Sequence, residues 1–199
     1  HGLMAGTTGS GKSNLMHVIA AGAAYCYSPD ELELYLLDFK QGVEFKPYAN
    51  FALPHARVVA IQGEREIGVS VLRGLNKEYE RRSELFKAHD VANLTHYRNK
   101  TGESLPRILL VMDEFQVLFQ DNDALSSEAE RLLEQLARLG RSFGIHMLLA
   151  TQTLAGMSNA LGQVLSQTNV RVALQCKADD AQLILSPNNT LAVRTLNRP

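Results

Sequence analysis

The stretch Gly6-Thr7-Thr8-Gly9-Ser10-Gly11-Lys12-Ser13 constrains this chain more than any other, because it fits G-x-x-x-x-G-K-[ST] without a mismatch. Glycines at these spacings let the backbone curl until successive N–H groups converge on phosphate oxygens. The mechanism needs a strand before the turn and a helix after it, and both are legible. Gly2-Leu3-Met4-Ala5 reads as a short apolar strand, and Lys12 to Tyr25 consists of helix formers, with Leu15, Val18, Ile19 and Gly22 expected toward one face. The positive end of that helix adds to the attraction for an anion. Lys12 is placed to reach β- and γ-phosphates and the Ser13 hydroxyl to bind Mg²⁺, so residues 6–13 are the predicted nucleotide site.

The rest of the chain alternates short apolar runs with longer amphipathic stretches, which predicts an α/β fold with a mostly parallel sheet and helices on both faces. Strands are expected at 32–37, closing on Asp38-Phe39-Lys40, and at 57–61, 108–112, 145–150 and 170–174. A helix of about twenty residues carries Val69, Leu72, Leu75 and Tyr79 at spacings of three and four. Its polar face, with Lys77, Glu78, Arg81 and Arg82, reads as solvated surface. Residues 99–106 read as a loop, and Ser127 with Glu130 as a capping box ahead of Leu132, Leu136 and Leu139. A length of 199 residues suits one domain, 1–199, and a first residue other than methionine suggests a piece of a longer protein.

Ile108-Leu109-Leu110-Val111-Met112 is a continuous apolar run, as suits a strand buried on both faces, and Asp113-Glu114 follows it directly. The carboxyl end of such a strand is where open α/β sheets bind ligands. Asp113 is the expected Mg²⁺ partner and Glu114 the general base for an attacking water. Ala150-Thr151-Gln152 closes another apolar strand, and the Gln152 amide is positioned to bond the γ-phosphate and the catalytic water.

Other patterns narrow the field. A formal net charge of −1 argues against a broad nucleic-acid-coating face, so any contact with DNA must be local. Cys26 and Cys176 lack metal or redox spacing and read as buried small hydrophobes in a reducing compartment. The histidines show no ligand spacing, and Asp121-Asn122-Asp123 lacks the glycine and distal glutamate of a calcium loop.

The run Gly140-Arg141-Ser142-Phe143-Gly144-Ile145-His146-Met147-Leu148-Leu149-Ala150-Thr151-Gln152, together with Val111-Met112-Asp113-Glu114-Phe115, resembles the FtsK/SpoIIIE motor domains. The resemblance implies a RecA-like P-loop fold, with the P-loop strand central in the sheet, that binds and hydrolyses ATP with Mg²⁺. It also implies a hexameric ring that moves double-stranded DNA, in the cytoplasm or as the cytoplasmic part of a membrane-anchored protein. A neighbouring subunit would supply an arginine to each site, with Arg138, Arg141 and Arg171 as candidates. Leu37-Asp38-Phe39-Lys40 and Arg81-Arg82-Ser83-Glu84-Leu85 are more similar to the type VII secretion branch of the family, whose cargo is protein. Two departures bear on the cargo. Thr153-Leu154 follows Gln152 where the family often has arginine, and neither 116–127 nor 153–166 contains a Lys or Arg of the kind phosphate-tracking loops carry.

Overall fold

The computed structural model describes residues 1–40, 44–61, 64–154, 157, 162 and 164–185. Much of the Lys- and Arg-free stretch 153–166, and the chain end at Asn197-Arg198-Pro199, lie outside them. Six strands, β1 (Gly2–Ala5), β2 (Leu32–Asp38), β3 (Ala56–Ile61), β4 (Arg107–Asp113), β5 (Ile145–Thr151) and β6 (Val170–Ala173), form one sheet in the order β3-β2-β4-β5-β1-β6. Every pairing is parallel. β1 is therefore an inner strand one place from the edge, rather than central. Because the chain runs from β1 across to β2, and from β5 back past β1 to β6, the connections leave the sheet in opposite senses beside β1 and open a crevice there.

Side-chain alternation along the inner strands divides the core. Leu3, Ala5, Leu110, Met112, Met147 and Leu149 face helices α3 (Arg65–Ala88) and α5 (Ala124–Leu139). Met4, Leu34, Leu36, Val111, Leu148 and Ala150 face α1 (Lys12–Cys26) and the short α2 (Lys46–Asn50). Two further helices are α4 (Leu94–Thr101) and α6 (Ala178–Ile184). Part of the segment expected as the loop 99–106 is thus helical: Asn93 Oδ1 caps α4 by accepting from the His96 amide at 2.9 Å, and Gly102 closes it in the left-handed region. No helix among the described residues is long and apolar enough to cross a membrane.

Four other expectations change. Helix α1 buries Met16 and Ala20, whereas Val18 is 67% exposed and Gly22 lies outside. Cys26 is exposed while Cys176 is buried. The cap of α5 is Asp123, whose carboxylate accepts from the Ser126 amide at 2.8 Å, one turn before the expected capping box. Arg82 is only 1% exposed. Its Nε donates to Glu78 at 2.6 Å and its Nη1 to the Phe143 carbonyl at 2.8 Å, so the guanidinium ties α3 to the turn entering β5. Removing either partner would strand a buried charge, which is why a basic residue holds an interior position here.

Candidate functional site

The phosphate-binding turn takes the shape its glycines allow. Gly9 and Gly11 have φ of 79° and 89°, in the left-handed region, and Gly11 is the residue from which α1 starts. A Cβ on Gly6 would stand 2.4 Å from Ser10 Oγ, so the turn closes too tightly there for a side chain. The Thr7 amide and hydroxyl both donate to the Gln175 carbonyl, at 2.8 and 2.9 Å, pinning the turn to the segment after β6. Ser10 Oγ is buried without a hydrogen-bond partner among the described residues.

Across the crevice, β4 delivers Asp113 and Glu114. Both are buried, as is Lys12, whose ammonium donates to Asp113 Oδ1 and, at 3.2 Å, to Glu114 Oε1. Glu114 is held at φ 53°, ψ 42°, an uncommon left-handed conformation for a glutamate, with its amide donating to Asp113 Oδ1 at 2.9 Å. Its second oxygen, Oε2, accepts from Gln116 Nε2 at 2.6 Å and from the Gln152 amide at 3.2 Å. Burial pushes the Asp113 carboxyl above the usual carboxylate range despite Lys12. Burial acts the same way on Glu114, but donation from Gln116, Lys12 and Gln152 outweighs it and holds that group low. Two adjacent carboxylates are thus driven apart, a frequent property of acid–base centres.

A cavity of about 400 Å³ joins these parts. It is lined by the expected Thr7, Thr8, Gly9, Gly11, Lys12, Ser13, Asp113, Glu114 and Gln152, and by Asp38, Lys40 and Glu44, which the motif reading did not assign. Thr8 Oγ1 donates to Gln152 Oε1 at 3.3 Å, bringing the phosphate turn and the end of β5 together. The same rule that selected Asp113 would have found Asp38: it ends a neighbouring parallel strand, pairs in register with Asp113, and is buried with its oxygens accepting from the amides of Lys40 and Glu44. None of the three candidate arginines lines this cavity. Arg138 and Arg141 are exposed, and Arg171 caps the carbonyls of Leu165, Thr168 and Ile184.

A donor-lined glycine turn, a buried lysine beneath it and a buried acidic pair facing it suit a polyphosphate with a divalent cation, and Ser10 Oγ supplies a polar atom still to be satisfied. Parallel sheet, crevice and phosphate turn together define a P-loop nucleoside triphosphatase. Residues 1–156 match the profile of the FtsK/SpoIIIE family, and the chain belongs to that family. It is 31% identical, over a 206-residue alignment covering 100% of this chain, to the ESX secretion system protein EccC of Geobacillus thermodenitrificans. The chain spans 13% of the length of that curated relative. The cytoplasmic domain of the Thermomonospora curvata type VII secretion ATPase EccC superposes with a TM-score of 0.80 at 28% identity, over 96% of this chain and 22% of that one. Thermomonospora curvata EccC ATPases 2 and 3 in complex with a signal sequence peptide match with a TM-score of 0.76 at 25% identity, over 100% of this chain and 35% of that one.

Proposed function

We propose that this chain is one ATPase domain of a longer secretion protein, hydrolysing ATP to drive a protein cargo rather than DNA. The observation that carries the reading is the identity along the whole chain with an ESX secretion system protein. A related structure that holds a signal sequence peptide supports the same cargo. The electrostatics agree: in the turn after Glu114, Asp121 and Asp123 are acidic, and the cation nearby, Arg65, is engaged by them. Double-stranded DNA, which the family resemblance alone favours, becomes the second reading.

In the reaction, the backbone donors of residues 6–13 and the Lys12 ammonium hold the β- and γ-phosphates. Ser13 and Asp113 would hold Mg²⁺, which neutralises charge on the phosphate oxygens when bound. Glu114 orients the attacking water and accepts its proton as the oxygen bonds to the γ-phosphorus and ADP departs. Gln152, bonded to the phosphate turn through Thr8 and by its amide to Glu114, senses both halves of the site. Charge on the transferred group needs a further cation, and we assign it to an arginine of an adjacent copy in a hexameric ring on the cytoplasmic side of a membrane. Arg138 and Arg141, exposed and outside any ion pair among the described residues, fit that role better than Arg171, which is occupied by carbonyls.

The test is steady-state ATP hydrolysis with synthetic secretion-signal peptides or with duplex DNA. Peptide stimulation that DNA does not reproduce is expected. Salt-sensitive stimulation by DNA alone would return the translocase reading.

A further inference from the structure

We infer that Gln116 and Thr151 are positioning residues that couple the aim of Glu114 to the segment leaving β5, an inference that rests on Glu114 acting as the base. Glu114 Oε2 receives the Gln116 side-chain amide at 2.6 Å, the shorter of its two contacts. Gln116 is fixed in turn from its far side, where Thr151 Oγ1 donates to Gln116 Oε1 at 2.7 Å. The orientation of the amide follows from chemistry: an ionised carboxylate only accepts, so the NH₂ group must face Glu114 and the carbonyl must face the hydroxyl.

The hydroxyl is where the coupling arises. Thr151 is fully buried, and its Oγ1 lies 2.6 Å from the Thr153 carbonyl as well as 2.7 Å from Gln116. A hydroxyl carries one proton and can serve only one of these acceptors at a time. When the proton goes to Gln116, the amide is anchored and Glu114 is aimed. When it goes to Thr153, the strand exit tightens on itself and Gln116 loses its anchor. The exit segment is also tied elsewhere, because the Leu154 amide donates to the buried Asp180 of α6 at 2.7 Å. A displacement of residues 152–154 therefore changes which acceptor Thr151 serves, and the change reaches the base through the Gln116 side chain, beside the direct donation from the Gln152 backbone amide.

The test measures ATP turnover by the full chain at raised protein concentration. Gln116→Leu is expected to lower kcat about tenfold with KM for ATP within about twofold, since it removes an orienting contact and no phosphate contact. Thr151→Val should lower kcat about fivefold and Thr151→Ser should restore it, because serine keeps the hydroxyl. The double variant Gln116→Leu/Thr151→Val should be no slower than Gln116→Leu alone, the signature of two residues acting through one connection. Should Gln116→Leu fail to fold, Gln116→Glu keeps the shape without the donor and should show the same loss in kcat. Multiplicative losses in the double variant, an unchanged kcat in Gln116→Leu, or a rise in KM alone would overturn the coupling. Those results leave the ATPase reading intact if Glu114→Gln is still inactive. Normal turnover by Glu114→Gln, or none by the unaltered chain, would overturn both.

Discussion

The two ends of the parallel sheet carry opposite charge and handle it differently. At the carboxyl ends, Asp38, Asp113 and Glu114 are buried together, and Lys12 from the P-loop reaches across to the last two. At the amino ends, Arg107 and Arg141 lie near His146. Burial, followed by those positive neighbours, lowers His146 to about 4 and keeps it neutral. One end meets its charge with a counter-charge; the other limits its charge by refusing a proton. The first solution buries carboxylates and a lysine around a cavity that can take a ligand, whereas the second keeps a ring neutral beside arginines.

The largest effect should come from breaking the acidic end. Glu114→Gln is expected to reduce turnover by about two to three orders of magnitude while leaving ATP binding nearly unchanged, checked by single-turnover hydrolysis beside equilibrium nucleotide binding. Removing the counter-charge is next. Lys12→Met leaves buried carboxylates unpaired and is expected to cost about 3 kcal/mol of stability, read from denaturant midpoints, together with loss of nucleotide affinity. A smaller effect follows from the turn itself. Gly11→Ala meets open space but demands a φ of 89°, so strain alone should lower stability by about 1–2 kcal/mol in thermal unfolding.

The smallest effect tests the amino end. Because His146 has a lower pKa folded than unfolded, the unfolded chain binds more protons between about 6.5 and about 4. Stability should thus fall as pH drops through that window, and His146→Gln should flatten the slope of the melting temperature against pH. An unchanged slope would show that the amino end does not manage its charge through this residue.

The parts of the molecule that depend on backbone shape or apolar period were legible from the chain. Gly6 to Ser13 specify a turn, and five-residue apolar runs specify buried strands, so the phosphate turn and the acidic pair could be paired in advance. The buried side of α1 was not legible, because no charged residue follows Lys12 in that helix to mark its outer face, and Tyr25 is left 92% exposed. Arg82 departs from expectation for the converse reason: a charge at helical spacing signals surface unless its partners are visible, and the Phe143 carbonyl lies 61 residues away in sequence. Gln116 carries no pattern at all, and Thr151 stands in the strand-end run without a role that the sequence discloses. An amide and a hydroxyl 35 residues apart acquire meaning only when adjacent strands bring them within reach.

Strand order has a further consequence. Because β5 runs between β1 and β4, the P-loop and the acidic pair are separated by two interstrand steps of about 4.8 Å, or roughly 10 Å in all. β5 works as a spacer of fixed width, made of backbone and so insensitive to side-chain substitution. Acids on an adjacent strand would crowd the turn, and acids one strand further would be beyond the reach of Lys12. The interval between the groups that hold phosphate and those that activate water is therefore set by topology, before any residue of the site is chosen.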